Sequence, residues 1–344
     1  MSRGWPWPLL AWLAAGCSES LPPESRIDKL RLLAIRAEPP EVSPGGSSVL
    51  DALVASPPPD PGQSDPLTSY LWLACAPVDG TASATGSAIG ACAYDGTSNI
   101  PLCAETPAAP ICLLGASPSV TYAAAANALG ASPARSVVIT MIVADASVGG
   151  AIGCAMSAAG HDGVPTDPDH CLIGVKQLTI SCNPIPNHNP RLYSLALDGV
   201  TQLPWPFALD GPDTVLAARR CPASLVGHSP LCPTGSGDER EPPPGAAPQC
   251  TSGTTDTTGF QVESQQVSYY ASAGALGPIR AFLQPDNCTG DCLQMPLPEV
   301  TRTVWTPPAS DEASYVHNGL VRFFVVLRDD RGGVDWLVAQ AKQQ

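Results

Sequence analysis

The residues with the most chemical potential in this 344-residue chain are its 13 cysteines. An odd set cannot be fully paired within one molecule. Setting aside Cys17 leaves twelve: Cys75, Cys92, Cys103, Cys112, Cys154, Cys171, Cys182, Cys221, Cys232, Cys250, Cys288 and Cys292. In an oxidising compartment such a set reads as up to six disulfides, each contributing about 2 to 4 kcal/mol. Connectivity is not deducible from spacing. Cys154 with Cys171, Cys221 with Cys232 and Cys288 with Cys292 are convenient neighbours, and Cys288-Thr289-Gly290-Asp291-Cys292 is a CxxxC, not the CxxC of redox enzymes.

Cys17 stands apart because of what precedes it. Arg3 gives a basic start, an apolar run follows from Trp5 to Ala15, and small residues precede Cys17. These are the three parts of a secretory signal. The run is too short to span a bilayer, which needs about 20 apolar residues. Leu13-Ala14-Ala15-Gly16-Cys17 resembles the bacterial lipobox, with the favoured Leu one place early. The resemblance implies a diacylglyceryl thioether on Cys17, cleavage before it, and a membrane held through the N-terminal lipid. Ser18 at the next position implies passage to the outer membrane.

Metal and catalytic motifs are thin. Asp162, Asp167, Asp169 and His170 present carboxylates spaced by two, but without the Gly and closing Glu of an EF-hand loop they read as a solvated acidic loop. Asp329, Asp330 and Asp335 flank Arg331-Gly332-Gly333; the alternatives are calcium between sandwich modules or simple turn chemistry, which is favoured because Asp starts turns and Gly supplies positive φ. His161, His170, His188, His228 and His317 form no HExxH and no ligand-spaced pair. Gly227-His228-Ser229 lacks the second Gly of a nucleophile elbow, and Gly149-Gly150-Ala151-Ile152-Gly153 lacks the Lys of a phosphate loop. Catalytic residues and cofactors are therefore read as none.

Composition bounds the partners and the elements. Seventeen Lys and Arg against 31 Asp and Glu leave a net charge of −14, which excludes nucleic acid as a natural partner. With 39 Pro and 31 Gly, the chain predicts short elements and many turns. Residues 29–42 alternate apolar and charged positions up to a double proline, and residues 48–55 follow after a Ser-Pro-Gly-Gly turn, predicting two strands joined by that turn. Residues 69–75 predict a third strand with Trp72 as a core pin; 136–144 and 172–182 are further strands. Residues 79–134 read as long disulfide-stapled loops with one small helix near 122–129.

Alternate prolines make residues 183–190 a linker, after which strands resume at 191–200, at 267–274 in the place of the Trp72 strand, and in a hairpin over 319–338. Adjacent Tyr269 and Tyr270 put one ring on each face of their strand, leaving one exposed ring as a candidate binding contact. The division expected is a signal at 1–17, a tether at 18–26, a first sandwich domain at 27–182, the linker, and a second at 191–344.

Three stretches resemble a group of lipoproteins from large-genome, high-GC soil bacteria of the myxobacterial kind: residues 29–46, the Asn-Pro linker before Leu195-Ala196-Leu197-Asp198-Gly199, and Trp305-Thr306-Pro307-Pro308 leading into residues 324–334. The last block is also similar to the final strands of immunoglobulin-like and polycystic-kidney-disease-type modules. The resemblance implies architecture only: an all-β chain of two tandem immunoglobulin-like β-sandwich domains. The function expected is a non-enzymatic structural, adhesive or assembly lipoprotein of the envelope, with a protein or glycan partner. Alternatives are an enzyme accessory or small-ligand or carbohydrate binder using the long loops, and a calcium-dependent surface module.

Overall fold

The computed structural model describes residues 24–57, 68–75, 100–106, 109, 111–161, 163–183, 186–200, 207–209, 213–235, 240–241, 261–283, 296–308 and 319–343. Cys17, Cys92, Cys250, Cys288, Cys292, Asp162 and His317 lie outside them, as does the signal segment.

The first half folds from β1 (Arg31–Glu38), β2 (Glu41–Val42), β3 (Ser47–Ala55), β4 (Thr68–Cys75), β5 (Ile111–Gly115), β6 (Ser119–Ala123), β7 (Ala134–Asp145) and β8 (Cys171–Ser181), with helix α1 (Gly150–Ala159) between the last two. The second half supplies β9 (Leu192–Leu197), β10 (Phe207–Leu209), β11 (Thr214–Arg220), β12 (Arg240–Glu241), β13 (Gln261–Val262), β14 (Gln265–Ala271), β15 (Ala275–Gly277), β16 (Arg280–Phe282), β17 (Val300–Thr306), β18 (Leu320–Asp329) and β19 (Val334–Gln343).

Sheet order makes both halves immunoglobulin-like. In the first, β1-β3-β6 faces β2-β8-β7-β4-β5; in the second, β15-β17-β11-β9 faces β10-β19-β18-β14-β16. The five-stranded sheets correspond strand for strand, and each receives a short strand running parallel to its last long one, β2 on β8 and β10 on β19. This is the G-F-C sheet of the fold with an added C′-type edge, opposed by A-B-E. The double proline has a topological role here. β1 pairs antiparallel with β3, and after Pro39-Pro40 the chain crosses to the opposite sheet as β2. The Ser-Pro-Gly-Gly turn therefore joins β2 to β3 across the sandwich and does not close a simple hairpin.

Each core is built around a large ring. Trp72 on β4 is fully buried and donates its indole N–H to Ser117 O at 2.9 Å. β14 holds the same place in the second sheet, as the sequence alignment of the halves predicts, but carries Tyr269, whose hydroxyl meets Thr301 Oγ1 at 2.6 Å. The second indole, Trp305, comes from the opposite sheet, donates to Ala273 O at 2.7 Å and meets Phe323 edge-on at 5.6 Å. Gly274 has φ +78° and is pressed against that indole, so any Cβ there would collide with it.

Two expectations are corrected. Tyr122 lies in β6, where Val120 and Tyr122 point inward and their neighbours outward, and residues 126–131 form turns; a period of two, not 3.6, governs this stretch. The helix stands instead at Gly150–Ala159, where Ala151, Cys154, Ala155 and Ala158 form a stripe buried mainly against β7. Gly150 at its start and Gly153 within it hide it from composition alone.

Disulfides Cys103–Cys112, Cys154–Cys171 and Cys221–Cys232 are formed, and Cys75 and Cys182 are also disulfide-bonded. Cys154–Cys171 ties α1 to the start of β8 across 17 residues. Replacing both cysteines with Ala should lower unfolding free energy by about 2 to 4 kcal/mol, read by urea denaturation.

Candidate functional site

The described carboxylates weighed as metal ligands each interact with donors of the protein itself. Asp167 Oδ1 accepts the Asp169 N–H at 3.3 Å, and Asp169 pairs with Lys29. His170 Nδ1 meets Asp145, which raises the imidazole above its ordinary value by that hydrogen bond. Asp329 Oδ1 accepts the N–H groups of Arg331 at 2.9 Å and Gly333 at 2.6 Å, and Asp330 Oδ2 accepts that of Ser264 at 3.3 Å. This is turn chemistry, and it shapes the β18–β19 hairpin. Among the described residues no three His, Cys, Asp or Glu side chains gather as a metal site.

What the hairpin does is dock onto the first sandwich. Lys176 on β8 donates to Gly332 O, and Arg331 reaches Glu41 at 3.7 Å and Glu263 at 3.4 Å. Glu41 also accepts from Ser181 Oγ and from the Asn187 N–H at 2.6 Å. Asn189, 2% exposed, donates to Ala37 O at 2.6 Å and accepts the Val334 N–H at 2.8 Å, so one amide bridges both sandwiches. Asp335, 5% exposed, accepts from Arg36 at 2.7 Å and from the Leu192 N–H at 2.9 Å. Residues 186–190 of the expected linker thus act as a strut, with Asn187 and Asn189 bonded to groups on either side.

An apolar patch backs these contacts. Ile27, Leu33, Ala34, Leu53 and Ala55 pack with Phe324, Val326 and Val334. Tyr270, the ring that strand alternation leaves facing outward, packs against this patch. Arg36 lies 4.3 Å over the Trp336 ring.

Burial perturbs the charges at the junction. The Lys176 ammonium is pulled down to about 8, first by burial, with Arg328 adding to the shift. Glu263 is raised by burial and by the nearby Asp329 and Asp330; burial likewise raises Asp329 against the hydrogen bonds from Gly333 and Arg331. Arg331 stands close to Glu263 without a hydrogen-bonded geometry, so desolvation prevails there.

Between β1, β8 and the second sandwich runs a groove of about 740 Å³. Lys29, Arg31, Lys176, Arg280 and Arg328 line it, against Glu24 and Asp329. In a chain with 17 Lys and Arg and a net charge of −14, this concentration of cations is a local inversion of sign. Sequence reading missed it because its members come from residues 29 to 328; the local hint was Lys176, a charge inside an otherwise uncharged strand.

The fold and junction define a tandem immunoglobulin-like protein with an interdomain groove. No family model matches the chain, and a search of curated proteins finds no match. Among solved structures it is similar to three N-terminal domains of the highly immunogenic outer capsid protein of bacteriophage RB49, at 12% identity over 91% of this chain and 59% of that one, with a TM-score of 0.19. It is similar to the Yersinia pseudotuberculosis adhesin InvE at 9% identity over 91% and 58%, TM-score 0.18. It is also similar to a Salmonella alpha-2-macroglobulin variant at 11% over 94% and 17%, TM-score 0.22. The chain spans less than two thirds of each of these structures, and the fold assignment rests on its own sheet order.

Two predictions follow from the junction. Asn189→Ala strands two buried backbone groups and should cost about 3 kcal/mol, with calorimetry expected to resolve two domain transitions in the variant and one coupled transition in the native chain. Glu263 and Asp329 are held above their ordinary values, so the fold favours their protonated forms: that stability is full below about pH 4 and is lost as pH rises through the raised values. Glu263→Gln should therefore gain on the native protein by about 1.4 kcal/mol or more between pH 5 and 8, measured by paired melting curves.

Proposed function

We propose that this chain is an exported lipoprotein, held in the cell envelope, at the outer membrane, through lipid on Cys17, and that it works without catalysis by presenting its paired sandwiches to an envelope protein or glycan. The observation that carries this reading is the junction itself. A buried network of Asn189, Asp335 and Glu41 with a shared apolar patch holds the two domains in one relative placement and builds a groove between them. A fixed double module with a shaped, charged cleft suits recognition.

Two further facts support it. The disulfides suit an oxidising compartment outside the cytoplasm. Among the described residues no helix is long and apolar enough to cross a membrane, so attachment in this reading comes from the lipid.

Cys17→Ser should abolish incorporation of a palmitate analogue and move the protein from the membrane to the soluble fraction. Label that persists in the variant would overturn the lipid anchor.

A further inference from the structure

One side of the first sandwich ends in two edge strands from opposite sheets, β1 and β8, and the structure treats them differently. On β1, two outward carbonyls are capped from outside: Leu33 O accepts from Arg328 and Ala37 O from Asn189. On β8, pairing with β7 uses the even-numbered residues, as the Cys182 N–H to Pro133 O and Asp145 N–H to His170 O bonds show within the same register. The odd-numbered residues therefore turn their N–H and C=O groups away from β7. Thr179 confirms the direction by donating to Pro40 O on the β2 side. β2 covers only Thr179 and Ile180, and a local turn takes the Cys171 N–H.

Ile173, Val175 and Gln177 are left with backbone groups aimed outward and no strand beside them among the described residues. Natural sheets blunt such an edge with proline, a bulge, a charged side chain or a covering segment; on β8 the one such device is Lys176, whose ammonium is drawn aside onto Gly332 O. β8 has no proline, and its register with β7 runs without a bulge from Cys171 to Ser181. Its stretch from Leu172 to Lys176 forms a wall of the groove.

We propose that this open edge of β8 receives an extended peptide segment of a partner protein, added as a strand, whose side chains carry carboxylates toward the cationic rim. Main-chain bonds to Ile173, Val175 and Gln177 supply affinity, and the rim supplies selectivity. Charge complementarity chooses the peptide. Lys29 and Arg280 extend from the rim in exposed pairs with Asp169 and Glu24, and such pairs are weak enough to exchange for a ligand carboxylate. Arg31 adds a third cation, itself paired with Asp28 at 3.3 Å and donating to Glu24 O at 2.8 Å. The burial-lowered Lys176 beside Arg328 is in an environment that an incoming anion relieves. This inference rests on reading the chain as a binding module and specifies its site.

The test uses the full exported chain and two capped octapeptides of alternating sequence, Val-Glu and Val-Lys. Calorimetric titration should detect the acidic peptide and not the basic one, and amide exchange at Ile173, Val175 and Gln177 should slow only with the acidic peptide. Val175→Pro removes one outward N–H at an exposed edge position without touching the β7 ladder, and should weaken binding at least tenfold with an unchanged melting curve. If that variant fails to fold, the exchange measurement on the native chain decides alone. The proposal is overturned if the acidic peptide does not bind, or if it binds without protecting those amides. It is equally overturned if phosphatidylglycerol vesicles bind and protect the groove while the peptide does not, or if the edge pairs with a second copy of the chain. Capture of an envelope partner that Val175→Pro leaves intact would sustain the binding role and remove β8 as its site.

Discussion

A single buried carboxylate, that of Asp335, sits where three parts of the chain meet. It accepts from Arg36 of the first sandwich, from the backbone of Leu192 just after the linker, and lies 3.7 Å from Arg191. Burial pushes this carboxyl up, opposed by the Leu192 N–H and the two arginines, so its charge is tolerable only while those partners stay in place. A buried ion cluster of this kind adds little net stability compared with apolar packing. Its use is geometric: a displaced domain would leave a charge out of water and unpaired, which is costly. The relative placement of the sandwiches follows from that penalty, with the apolar patch around Leu33, Phe324 and Val326 supplying the attraction.

The groove is a consequence of that placement. Immunoglobulin-like halves end in edge strands, and the second domain, once docked, covers the β1 edge with Arg328 while its hairpin turn closes over Lys176. Around Lys176, the outward N–H and C=O groups of Ile173, Val175 and Gln177 keep no strand beside them among the described residues. The cations that make the docking contacts, together with those near residues 29 to 31, then share one cleft, although the chain as a whole is strongly acidic. The same interactions that hold the domains together also set the sign of the cleft.

Much of the architecture was readable from local pattern. Alternation in residues 29–42 marks a strand because a half-buried sheet imposes a period of two, while the β-branched run at 136–144 and the Arg-Gly-Gly turn within 319–338 mark strands by composition and turn chemistry. Asp329 with Gly332 and Gly333 reads as a turn for an equally local reason. Errors arose where the local signal was weak or mixed: β6 is five residues of Ser, Val, Thr, Tyr and Ala, and α1 is broken up by glycine.

By itself, then, the sequence determined an all-β chain of two alternating-strand modules, an acidic balance with a large cysteine set, and the turn that joins the last two strands. It did not determine that residues 186–190 act as a strut, that Tyr270 packs at a junction, or that Arg36 meets Asp335. Those two residues are 299 positions apart. Local periodicity reports which face of a strand is buried, not what buries it, and only the closed tertiary structure brings such distant partners within hydrogen-bonding reach.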